Sequence, residues 1–135
     1  MRMPKPKLPR PTDSELAILK ILWRRGPSTV RAVNEDMNRQ QPTGYTTTLK
    51  LMQIMAEKGL VARDESERTH VYRTIVGEEQ TQKHLLRDLL EKAFNGSAQK
   101  LVLQALTTRK ASPSELAEIR KLLDEIEGGK SDTRG

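Results

Sequence analysis

Residues Thr43–Gly59 read TGYTTTLKLMQIMAEKG, and the fold turns on how this stretch is read. On an α-helix at about 100° per residue, Tyr45, Leu49, Leu51, Met52, Met55 and Ala56 share an arc of roughly 160°, and Thr46, Thr47, Lys50, Gln53 and Glu57 lie on the other side. Ile54 is the one apolar residue on that polar face. Two threonines and a lysine near the start are unusual for a merely solvated face, because threonine loses χ1 freedom in a helix and gains little there. One reading is a recognition helix whose first residues meet base edges and phosphates. The other is a helix start at which threonines compete for the cap. The segment by itself leaves both open.

Upstream, Thr12-Asp13-Ser14-Glu15 has the spacing of a capping box, in which each side chain satisfies a backbone donor at the other end. Leu16, Leu19, Leu22 and Trp23 carry a helix from it to Gly26-Pro27, a helix exit, with Trp23 read as core. Ser28 or Thr29 can cap a second, shorter helix with Val30, Val33 and Met37 on one stripe, and residues 40–44 break it. Downstream, Leu60–Arg63 and His70–Ile75 read as two short strands joined by a charged turn. Three helices and a hairpin predict a winged helix. In that hairpin Asp64, Glu65 and Glu67 oppose Arg63, Arg68 and Arg73, so the wing is expected to contribute weakly to phosphate contact.

Charge is divided along the chain. Residues 1–77 carry 14 Lys+Arg against 8 Asp+Glu, whereas residues 78–135 carry 10 of each, so the net +6 sits wholly in the first part. A basic module followed by a neutral one predicts that the first meets a polyanion. Residues 1–11 alternate prolines with Lys5, Lys7 and Arg10 and are expected to be an extended or disordered arm, either lying along a phosphate backbone or simply mobile. No apolar run follows that arm and no later segment reaches membrane-spanning length, so a cytoplasmic protein without membrane insertion is expected.

From Glu78 onward the pattern is helical only. Leu85, Leu86, Leu89, Leu90, Ala93 and Phe94 mark one amphipathic helix, closed by Asn95-Gly96, and Ser97 caps a second with Ala98, Leu101, Val102, Ala105 and Leu106. Ser112-Pro113-Ser114-Glu115 is another capping box and opens a third helix with Leu116, Ile119, Leu122, Leu123 and Ile126. Residues 128–135 read as a polar, disordered tail. Three short helices carry more apolar surface than they can hide among themselves. A second copy would cover it, giving a C2 homodimer with an interface built on Leu85, Leu89, Leu90, Phe94, Leu101, Val102, Leu106, Leu116, Ile119 and Leu123. Alternatively the helices fold back on the N-terminal domain.

The expected architecture is therefore mainly α with a small β-hairpin wing: an arm over 1–11, a winged helix-turn-helix over 12–77, a helical dimerisation region over 78–127 and the tail. With no cysteine, two isolated histidines (His70 and His84), no Gly-rich phosphate loop and no nucleophile elbow, neither an enzyme nor a metal or other cofactor is expected.

The order of these features, with ELAILKILWRRG at Glu15–Gly26, YTTTLKLMQIMAEKGL at Tyr45–Leu60 and FNGSAQKLVLQAL at Phe94–Leu106, resembles the penicillinase-repressor (BlaI/MecI) family over about residues 8–127. The resemblance implies a bacterial winged-helix repressor that dimerises through its C-terminal helices and binds palindromic operator DNA. By position, Thr46, Thr47 and Lys50 match the family's base contacts. Tyr45, Arg63, Arg68 and Arg73, with Lys5, Lys7 and Arg10 of the arm, are expected at the DNA backbone. Family members are commonly inactivated by proteolysis under a membrane sensor, so a sensor metalloprotease or a downstream protease is the implied protein partner. The cleaved Asn-Phe bond of well-known members corresponds to Gln104-Ala105 here, and their Arg-Leu before the Lys-Gly corner corresponds to Ile54-Met55. The cysteine-based metal sensing of one branch has no counterpart in this chain. From another class, the alternative is a winged-helix adaptor that docks proteins without reading DNA.

Overall fold

A capping box starts the first helix, α1 (Asp13–Arg25): Thr12 Oγ1 accepts from the Glu15 amide at 3.2 Å and Glu15 Oε1 accepts from the Thr12 amide at 2.9 Å. The computed structural model describes residues 10–134, so Lys5 and Lys7 lie outside the described residues. A two-residue strand β1 (Ser28–Thr29) leads into α2 (Val30–Gln40), with Thr29 as N-cap accepting from the Ala32 amide, and α3 (Tyr45–Lys58) follows. Gly59 ends α3 at φ 83°, a left-handed conformation that suits glycine because it has no Cβ, and the Leu60 amide then bonds the Met55 carbonyl at 2.9 Å.

Strands β2 (Val61–Asp64) and β3 (Val71–Thr74) form the expected hairpin, but the sheet has three strands in the order β1-β3-β2. β1 pairs antiparallel with β3 through Ser28↔Tyr72 and Thr29↔Val71. Two residues carry no periodicity, so this strand exists only through its tertiary pairing. The core lies between the three helices and the sheet: Ile18, Leu19, Ile21 and Leu22 of α1, Val30 and Val33 of α2, Met52 and Met55 of α3, then Leu60, Val61, Tyr72 and Val76. Trp23 packs against it half-buried and donates from Nε1 to the Val76 carbonyl at 3.0 Å. Each well-buried aliphatic side chain contributes about 1.5–3 kcal/mol of transfer free energy.

The helix α4 (Glu78–Phe94) begins with Thr81 buried and its hydroxyl bonded to the Gly77 carbonyl at 2.9 Å. The chain divides into two compact units, the first ending at Asp88 and the second beginning at Leu89, so the winged-helix unit takes in most of α4 rather than stopping near residue 77. Asn95 (φ 49°) and Gly96 (φ 78°) close α4. The second unit continues with α5 (Ala98–Thr108), capped by Ser97, and α6 (Pro113–Arg134), whose capping box is formed by Ser112 and Glu115. The helix runs past Gly128-Gly129 where an irregular tail is expected from composition. Each glycine costs about 1 kcal/mol in a helix, but elongation from an existing helix needs no new nucleus.

No residue of α5 is buried, and Leu89, Val102, Leu103, Leu122, Leu123 and Ile126 are exposed. Leu85, Leu90, Phe94, Leu101, Leu106, Leu116 and Ile119 are half-buried, and Gln104 and Ala105 are exposed within α5. Among the described residues no helix is long and apolar enough to cross a membrane.

Candidate nucleic-acid interface

What fixes α3 is the turn that precedes it. Asn34 Nδ2 donates to the Thr43 carbonyl and to Thr48 Oγ1, both at 2.9 Å, while Asn38 donates to the Thr43 carbonyl and accepts from the Thr43 amide, again at 2.9 Å. Two side chains of α2 thus hold both backbone polar groups of Thr43. Thr48 is fully buried, so it is a packing residue at the end of the threonine run, whereas Thr46, Thr47 and Lys50 are exposed as expected. Substituting Asn34→Ala leaves the buried Thr48 hydroxyl without that donor and is expected to lower stability by about 1–3 kcal/mol, read by urea unfolding.

The helix period assigns Tyr45 to the packing face, yet it is 50% exposed. At the first position of α3 the chain has only just left the turn, and the core closes around Thr48, Met52 and Met55 instead. Ile54 is half-buried. Gly44 gives α3 no side-chain cap, which leaves its first amides open to an external acceptor.

Many cations of the winged helix are tied to carboxylates. Asp36, 3% exposed, receives Arg24 Nη2 at 3.0 Å and Arg25 Nη1 at 3.3 Å on Oδ2, and Arg39 Nη1 lies 3.3 Å from Oδ1 outside hydrogen-bond alignment. Lys58 Nζ lies 2.6 Å from buried Glu15 Oε1, joining the end of α3 to the start of α1. Burial alone would raise the Glu15 pKa, but the hydrogen bond from Lys58, with those from Thr12, outweighs it and holds the carboxyl below its ordinary value. In the wing Arg63 pairs with Glu65 at 2.7 Å, and the Tyr72 hydroxyl and Glu65 raise its pKa. Asp64 accepts from the Ser66 amide at 2.9 Å, which lowers its pKa together with the nearby Arg73. Arg10 pairs with Asp88, and the Arg10 carbonyl accepts from Lys58 Nζ at 3.2 Å.

The structure therefore separates the expected contact residues. Tyr45, Thr46, Thr47 and Lys50 are exposed at the start of α3, and Lys50 has no ionic partner among the described residues. Arg63 and Arg10 are engaged by carboxylates. Between the start of α2 (Thr29, Val30, Arg31), α3 (Tyr45, Leu49) and the wing (Arg68, Thr69, His70, Tyr72) lies a groove of about 340 Å³. Arg31 is absent from the sequence-based set, because one arginine in a short capped helix carries no signal until the sheet brings the wing beside it.

Three helices, a small antiparallel sheet with a wing, and a helix that turns Thr46, Thr47 and Lys50 outward define a winged helix-turn-helix protein. Residues 11–125 match the family described as Penicillinase repressor. The chain belongs to the penicillinase repressor family. The Transcriptional regulator BlaI of Mycobacterium tuberculosis is 32% identical over 124 residues, covering 91% of this chain and 89% of that protein. The Penicillinase repressor of Bacillus licheniformis is 21% identical over 126 residues, covering 93% and 98%. The solved DNA-binding domain of the repressor BlaI aligns with 20% identity and a TM-score of 0.49, over 55% of this chain and 90% of that one.

Proposed function

We propose that this protein is a cytoplasmic, homodimeric transcriptional repressor that binds palindromic operator DNA through its winged helix and has no catalytic activity. The observation that carries the reading is the exposed Thr46, Thr47 and Lys50, the last without an ion pair among the described residues, on a helix whose entry turn is pinned by Asn34 and Asn38. Membership of a repressor family supports it. With two recognition helices in successive major grooves about 34 Å apart, these three residues read bases. Tyr45 and the wing arginines position the backbone, and occupation of a promoter blocks transcription by steric exclusion. The winged-helix unit extends to about Asp88, and the apolar faces of the helices beyond it, exposed in a single chain, supply the dimer contact.

A footprint on the DNA upstream of the protein's own gene tests the assignment. On the protected sequence, Lys50→Ala should cost about 1–3 kcal/mol if Lys50 reads a guanine, and affinity should fall alike on all DNA if it touches only phosphate. Absence of any duplex binding at low salt would reassign the domain to protein docking. Release of the repressor is proposed to follow cleavage at Gln104-Ala105 by a sensor-controlled protease. Both residues are exposed but lie inside α5, so that helix must open locally to admit a protease.

A further inference from the structure

Arg31 opens α2 exposed and without an ion pair or hydrogen bond among the described residues, although Glu35 follows one helical turn later. Arg68 of the wing lines the same groove and likewise has no ion pair among the described residues. Tyr45, Leu49 and Tyr72 line the groove with them, Tyr45 half exposed and Tyr72 buried. The surroundings give this contrast meaning, since Arg24, Arg25, Arg39, Lys58 and Arg63 all reach carboxylates in the same unit. Two like charges lining one groove repel, and among the described residues neither guanidinium has a carboxylate partner.

We infer that this groove holds one strand's sugar-phosphate backbone, gripped by Arg31 and Arg68. The two-part chemistry fits such a strand: guanidinium groups present fork-like donors to phosphate oxygens, and half-exposed Tyr45 offers an apolar ring face to a deoxyribose. Arg31 is a positioning residue, fixing the register of α3 on the duplex without reading sequence. The inference rests on the DNA-binding reading above and adds a second anchor beside α3.

Fluorescence anisotropy of the full-length protein tests it, with one labelled duplex from the DNA upstream of the gene and one unrelated duplex of equal length, over about 50–300 mM salt. Arg31→Ala should weaken binding to both duplexes by the same factor and reduce the slope of log affinity against log salt by about 0.9 per protomer. Adding Arg68→Ala should about double that reduction, and Arg31→Lys should retain the slope. Because Arg31 is exposed and unpaired, the thermal midpoint should not move, which separates the effect from misfolding. An Arg31→Ala protein with wild-type slope and affinity overturns the inference, as does a loss confined to the upstream duplex, which would make Arg31 a base reader. If wild-type protein binds neither duplex at the lowest salt, the DNA-binding reading itself has failed. If Lys50→Ala weakens binding and Arg31→Ala does not, only this inference has.

Discussion

Full-length protein carrying Val102→Glu and Leu123→Glu is expected to sediment as a monomer and to bind a palindromic duplex at least about 100-fold more weakly, with its affinity for a single half-site unchanged. Both residues are exposed in the single chain, 46% and 59%, so the carboxylates cost the isolated fold little. In a homodimer each glutamate would enter an apolar contact twice, without a partner, and an unpaired charge there costs several kcal/mol. What the palindrome loses is linkage: a monomer that lets go of one half-site is no longer held near it by its twin. Sedimentation velocity and half-site titrations read the two parts separately. A double variant that remains dimeric at micromolar concentration would move the interface away from α5 and α6.

The second large effect concerns Lys58, whose ammonium reaches the buried Glu15 carboxylate at 2.6 Å. Lys58→Met should lower stability by about 3 kcal/mol near neutral pH, because it strands a buried carboxylate. The pH dependence has a definite sign. Glu15 titrates below its ordinary value of 4.5 in the folded protein, so the unfolded chain binds the proton first as pH falls. Its contribution is therefore complete above the ordinary glutamate range and is lost as pH drops through that range toward the lower folded value. In Lys58→Met the depression disappears, and protonating Glu15 removes an unfavourable charge instead of a favourable one. Unfolding curves of the two proteins should therefore converge on acidification below about pH 4.5. A gap that stays constant from neutral pH to pH 3 would assign the loss to packing of the lysine stem.

Local chemistry made much of the fold legible. Both capping boxes, Thr12 with Glu15 and Ser112 with Glu115, depend on residues three apart, and both form. The helix-turn-helix and the hairpin follow from short-range periodicity in the same way. Features made by distant segments were not legible. Ser28-Thr29 is a strand only because β3 passes beside it, and Asp36 is buried only because α1 delivers Arg24 and Arg25 to it. The boundary near residue 77 followed the end of the β pattern, whereas the first turn of α4 packs Thr81 into the winged-helix unit. At the candidate site, Thr46, Thr47 and Lys50 were visible as an odd polar turn. Thr48 could not be told from its neighbours, since only Asn34, fourteen residues earlier, distinguishes it. Arg31 became visible once the wing stood beside it.

The carboxylates inside the winged helix also decide how the free molecule behaves before it touches anything. Asp36 and Glu15 pair with cations within the helical bundle, while Arg31, Lys50 and Arg68 have no carboxylate partner among the described residues. Such a lopsided arrangement gives the winged-helix unit an electric dipole moment. In the field of a duplex that moment exerts a torque, turning α3 forward while the two molecules are still separated by water. The share of collisions that arrive the right way round is then governed by where the acids sit, and counting lysines and arginines would not reveal it.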